Sequence, residues 1–210
     1  MDTKESNKQK FIQLLQATKR EGVDQFIKYL DDNGFFEAPA STKFHGCYEG
    51  GLCEHSLNVY QQAMYLYKVE CKIKPEVEKL TSVENITIAS LLHDVCKTDL
   101  YEKVKKWRKD ETKPVGKQWE QYETYDHDYS KFPAGHGSKS VIVILKNGFK
   151  LTDQEILAIE WHMGAWDISQ YNDDKKSYNM AGDLYPLVSI IHAADILASR
   201  ITENDFKKKE

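Results

Sequence analysis

The chain has 210 residues, enough for one domain with a substantial core. Hydrophobic residues make up 40% and charged residues 30%, which fits a globular chain and excludes a disordered one. A net charge of −4, from 29 basic and 33 acidic residues, gives no overall attraction for nucleic acid or an anionic membrane.

The first eight residues are polar and of mixed charge, with no apolar signal-peptide core. The longest apolar runs, such as 141–145, are too short to cross a bilayer. The cysteines, Cys47, Cys53, Cys71 and Cys96, show no CxxC spacing, so free thiols in a reducing cytoplasm are expected.

In chain order, residues 8–30 read as helix. Phe11, Leu14 and Leu15 share one face and Val23, Phe26, Ile27 and Leu30 another, with a break at Gly22. Asn33-Gly34 supplies a stop. Residues 35–51, with Pro39, Gly46, Gly50 and Gly51, read as a long loop. A second helix spans about 52–69 and carries His55 in its first turn. Taken alone, a histidine there is a hydrogen-bonded core residue. A third helix opens on a capping box of Thr81 and Glu84 and runs through Ile86, Ile88, Ala89, Leu91 and Leu92 to His93-Asp94. It is apolar around most of its circumference, so it is expected at the centre of the fold.

Residues 100–130 alternate large and polar side chains on both sides of Lys113-Pro114-Val115-Gly116, the pattern of an inserted β-hairpin. Lys103, Lys105, Lys106, Arg108 and Lys109 cluster on it. They read first as a solvated edge that discourages strand pairing, and second as a cationic flap for a phosphate. Pro133 to Ser138, with His136, introduces a fourth helix that stops at Asn147-Gly148. A capping box of Thr152 and Glu155 opens a fifth, running to Trp161-His162. Residues 166–180 read as a loop. The last helix is expected from about Asp183, with Pro186 in its first turn, to about Ile201. Lys207 to Lys209 reads as a frayed end.

The outliers in this apolar helical background are His55, His93, Asp94, His136, His162 and Asp195. Each sits in an apolar helix or at its end, where bundle metal sites are built. A carboxylate among apolar residues needs a partner. Four imidazoles and two carboxylates exceed the needs of one tetrahedral structural zinc. The set suits two divalent ions sharing a carboxylate, with positions left for water. Iron or manganese is the first expectation, with Mg, Zn, Ni or Co as the further options.

The order His55, His93-Asp94, Asp195 resembles the HD-domain superfamily of metal-dependent hydrolases. With His136 and His162 added, the chain is similar to the subset that carries a dinuclear site. Gly50-Gly51-Leu52-Cys53-Glu54-His55-Ser56-Leu57 also resembles the start of the HD domain attached to some bacterial 3′-to-5′ exoribonucleases. The motifs span 45–198. The resemblance implies an all-α HD-domain bundle over 1–210, with an N-terminal helical extension at 1–34 and the hairpin inserted at 100–130. It implies that His55, His93, Asp94 and Asp195 hold one metal, and that Asp94 bridges to a second held by His136 and His162. An activated water would then attack phosphorus. Lys97, one turn past His93-Asp94, would reach a phosphate oxygen; otherwise it is a surface lysine at a helix end. His45 would line the substrate pocket. His192 reads as a core histidine and His127 as part of a solvated turn.

The expected activity is a phosphohydrolase acting on a nucleotide or other small phosphate ester. Nucleic acid is an admissible substrate but not a required one, and no membrane is involved. Two alternatives stay open. Some HD proteins place the same ligands around two irons and oxidise small alcohols or phosphonates, and others bind nucleotides without turnover.

Overall fold

The computed structural model describes residues 3–166, 168–169 and 173–206. It is mostly helical, with one two-stranded antiparallel sheet. Helix α1 spans Thr3–Ala17 and α2 spans Val23–Asp32. Gly22, in the left-handed region at φ 88°, makes the break between them. Helix α3 spans Gly51–Ile73 and the short α4 spans Val77–Leu80. Helix α5 spans Val83–Leu92 and hands over to a 3₁₀ turn at Val95–Asp99. Strands β1 (Tyr101–Lys109) and β2 (Trp119–His127) form the hairpin, with Tyr101 opposite His127. Helices α6 (His136–Lys146), α7 (Asp153–Glu160), α8 (Asp174–Leu184) and α9 (Pro186–Leu197) follow, and a π turn at Ala198–Thr202 closes the last of them. Among the described residues, no single helix is long and apolar enough to cross a membrane.

Helix α5 buries every residue from Asn85 to Leu92, as its all-round apolar sequence requires. It packs against α3, α7 and α9, and α1 leans on α3 and α5. Phe11 of α1 meets Phe35 and Phe36 at ring distances of 5.1 and 5.5 Å, and all three are buried. Each such ring contributes about 2–3 kcal/mol by leaving water.

Four sequence expectations need correction. The capping box of α5 is Ser82 with Asn85, one residue later than Thr81 with Glu84. Thr81 is buried as the last residue of the preceding turn, and Glu84 is drawn to Arg20 instead. Residues 166–180 are not all loop, because α8 starts at Asp174. Only Ala181 of that helix is buried, so it carries almost no apolar period to read. The last helix starts at Pro186 rather than Asp183. Tyr185 is extended, because the ring of a following proline disfavours the helical region. His127 is the last residue of β2, not part of a solvated turn. Lys207 to Lys209 lie outside the described residues.

Two close approaches set the site. A Cβ on Gly51 would lie 2.1 Å from the Gly46 carbonyl oxygen, so the 41–46 loop touches the start of α3. A Cβ on Gly137 would lie 2.0 Å from the Glu160 carbonyl oxygen, so α6 begins against the end of α7. Buried Lys139 of α6 reaches Asp99 at 2.6 Å, and the Cys96 N–H donates to Ser140 Oγ at 3.0 Å. Together these pin the 3₁₀ turn to α6.

Candidate metal centre

Four of the other five candidate ligands converge on Asp94, which sits where α5 ends and the 3₁₀ turn begins. Its side chain is 2% exposed, so its charge has to be met inside the protein. Oδ2 faces His93 Nε2 at 3.3 Å, His55 Nε2 at 3.5 Å and Lys97 Nζ at 2.6 Å. Oδ1 faces His136 Nε2 at 2.8 Å and His162 Nε2 at 3.5 Å. The carboxylate therefore has one oxygen turned to each of two histidine groups. Asp195, one face of α9, lies 3.2 Å from His55 Nε2.

The ring orientations have local causes. The His93 Nδ1–H donates to the Ser90 carbonyl at 2.8 Å, and the His162 Nδ1–H to the Ile159 carbonyl at 2.7 Å. The His55 Nδ1–H donates to the Glu203 carboxylate at 3.0 and 3.1 Å. In the neutral form of each ring the proton is committed outward, so Nε2 carries a lone pair inward. His55 Nε2 and His93 Nε2 face each other at 3.3 Å, beside two carboxylates. His162 Nε2 is buried and has no hydrogen-bond partner. Such a set calls for positive charge, which a second proton on His55 or a bound cation would supply. Ligands bonded at about 2.1 Å stand about 3.0–3.4 Å apart around an ion, close to the contacts seen here. His55, His93 and Asp94 form one group able to hold a metal, and Asp94, His136 and His162 form another.

Electrostatics agree with this arrangement. Burial opposes ionisation of Asp94, but the charge of Lys97 and the hydrogen bond from His136 hold its carboxyl well below the usual range. Burial pushes His93 down. Lys97 is buried too, so it is not a surface lysine; burial opposes its charge and Asp94 more than restores it.

His45 sits beside the cluster, its ring 4.7 Å from that of His55. Its loop is built for the purpose: Ser41 Oγ donates to the His45 carbonyl at 2.7 Å and accepts the Phe44 N–H at 2.9 Å. Burial, then the charges of His55 and Lys97, lower His45 to about 4. The His192 Nδ1–H donates to the His162 carbonyl, 2.6 Å away, so it braces the chain behind that ligand candidate. Gly164 is required there: at φ +54° its missing Cβ would lie 2.4 Å from the His192 ring.

Sequence reasoning missed Glu203, Asn58 and Tyr101. Asn58 Nδ2 donates to Glu203 at 2.9 Å, and it lies one turn after His55, a spacing that could have marked it. Glu203 lies in the polar stretch after Ile201, where nothing singles it out. Tyr101 follows Lys97 by four residues and senses its charge.

The hairpin's basic cluster is neutralised within the protein. Lys103 meets Glu49 at 3.3 Å, Lys105 meets Glu123 at 3.9 Å, Lys106 meets Asp126 at 2.8 Å, Arg108 meets Glu120 at 2.6 Å and Lys109 meets Glu111 at 3.6 Å. This favours the solvated-edge reading over the cationic flap. The four cysteines are free.

No family model matches the chain, and no solved structure matches it. Over 171 residues the chain is 28% identical to the dihydroneopterin 2′,3′-cyclic phosphate phosphodiesterase of Methanocaldococcus jannaschii, covering 80% of this chain and 53% of that protein. The chain thus spans about half the length of the curated relative it matches.

Proposed function

We propose that this chain is an HD-type, metal-dependent phosphohydrolase that cleaves a small phosphodiester or other phosphate ester. The observation that carries the reading is the orientation of Asp94, one oxygen toward His55 and His93 and the other toward His136 and His162. The relative, a phosphodiesterase by name, adds weight toward hydrolysis and toward a small cyclic phosphate diester as substrate.

In this reading His55, His93, Asp94 and Asp195 hold one divalent ion, and Asp94, His136 and His162 a second. Ions bound there would polarise phosphoryl oxygens and acidify a water. The chain's own residues do the rest. Asp94 keeps its charge, so it remains a ligand across the neutral range. Ser90, Ile159 and Glu203 fix the tautomers of His93, His162 and His55 and aim them before any ion arrives. Lys97, already cationic beside Asp94, turns to a phosphoryl oxygen as charge develops there. His45, held by Ser41, contacts the substrate from the loop side.

The test is hydrolysis by purified protein reconstituted with manganese or ferrous iron. Substrates are a phosphomonoester, an open diester, a 2′,3′-cyclic phosphate and a short RNA. Turnover of a small ester, lost on chelation, supports the reading. Absence of hydrolysis by protein carrying two ions would overturn it.

A further inference from the structure

Beside the Asp94 centre, the base of the hairpin carries three rings in contact. Tyr101 opens β1 immediately after the turn that holds Lys97, and it feels the charges of Lys97 and Asp94. Its ring meets that of His127, its partner across the sheet, edge-on at 5.2 Å and 69°. The His127 ring lies parallel to that of Tyr129, at 5.5 Å and 3°. Tyr101 is partly buried and follows directly on Leu100, whose N–H donates to the Lys97 carbonyl at 3.4 Å, whereas Tyr129 is 63% exposed. The ladder therefore runs from the end of the turn that holds Lys97 out to solvent.

The ladder is held rigidly. The Asp128 N–H donates to the Leu100 carbonyl at 2.8 Å, closing the hairpin base. The N–H and Oγ–H of Ser130 both donate to Asp128 Oδ1, at 2.9 and 2.5 Å. The chain on either side of Tyr129 is thus fixed, and among the described residues its ring is largely uncovered, at 63% exposure. The neighbouring charges are spent on one another, Lys106 with Asp126 and Lys103 with Glu49. What this wall offers a ligand is flat aromatic surface, not charge. Flat surface of this kind takes a planar ring by stacking and tolerates variation in its substituents.

We propose that Tyr101, His127 and Tyr129 form the subsite for a planar heterocycle joined, through a sugar or short polyol, to the phosphate received at the Asp94 centre. The inference rests on the phosphohydrolase reading and names its substrate class. Ring stacking supplies selection for heterocyclic phosphates over ring-free ones. A nucleobase and a pterin share this chemistry.

The experiment is equilibrium binding, without turnover, to the manganese-reconstituted protein. The probes are a nucleoside 3′-monophosphate, a neopterin monophosphate and glycerol phosphate. The wild type is expected to bind at least one ring-bearing probe more tightly than glycerol phosphate. Tyr129→Ala should weaken that probe roughly tenfold, the scale of one lost stacking contact. Tyr129→Phe should restore it, and glycerol phosphate should shift less than twofold. Which ring-bearing probe responds separates nucleobase from pterin. Equal loss for ring-bearing and ring-free probes, or no loss for either, overturns the subsite. Because binding is read directly, ring selectivity in a protein that hydrolyses nothing would uphold the subsite while rejecting the hydrolase.

Discussion

Glu203 accepts the Nδ1–H of His55 at 3.0 and 3.1 Å, from a carboxylate only 9% exposed and anchored by Asn58. Glu203 follows Asp195 by eight residues across the π turn, so one helical run supplies both a ligand candidate and the group that aims another. Outer carboxylates of this kind set ring orientation and raise ligand basicity. Glu203→Ala is therefore expected to weaken metal binding about 10–100-fold, measured by chelator competition. Glu203→Gln should fall between, since it keeps an acceptor and loses the charge. Unchanged affinity in a folded Glu203→Ala protein would show that His55 needs no such support.

Chelated protein is expected to show a distinct pH dependence. Burial opposes the charge of His55, but hydrogen bonds to Asp195 and Glu203 outweigh it and push the imidazole up from 6.5 to about 9. A raised imidazole gives stability that is complete below its unfolded value and is lost as pH rises through its folded value. The melting temperature of metal-free protein should therefore fall between pH 6.5 and about 9, more than that of reconstituted protein, where an ion replaces the proton. Equal melting of the metal-free protein at both ends of that window would contradict this.

Arg20 and Glu155 tie the N-terminal ends of α5 and α7 together, and the other ends of these helices carry His93, Asp94 and His162. Arg20 reaches both Glu155 oxygens at 2.8 Å and Glu84 at 2.7 Å, and Asn85 donates to Glu155 at 2.9 Å. Glu155 is fully buried and also caps α7 by accepting the Thr152 N–H at 2.7 Å. Arg20→Ala would leave a buried carboxylate without its cation, which costs about 3–5 kcal/mol. Denaturant unfolding should report a loss of that order; a loss under about 1 kcal/mol would show that Asn85 alone suffices.

The hairpin, the α5 core helix and the meeting of six polar outliers are all legible in the sequence, because each breaks or sustains a period. Alternation over 101–107 and 118–125 marks the strands, which the structure extends to 101–109 and 119–127. An unbroken apolar run marks α5, and histidine or aspartate at helix ends stands out against it. What is not legible depends on tertiary contact. Glu203 matters only because α9 turns back beside α3. The α5 cap moves to Ser82 because Arg20 takes Glu84. Helix α8 hides because it buries almost nothing, and the Tyr101–His127–Tyr129 ladder needs the strand register to bring its rings together.

The central claim is that Asp94 joins two ions in a hydrolytic site. The most direct measurement is metal content together with hydrolysis of a 2′,3′-cyclic phosphate, for wild type and Asp94→Ala, with oxygen uptake followed alongside. The account predicts about two ions per wild-type chain, hydrolysis without oxygen uptake, and loss of both metal and turnover in a folded Asp94→Ala protein. Full turnover by Asp94→Ala, or oxygen uptake in place of hydrolysis by the iron form, would contradict it.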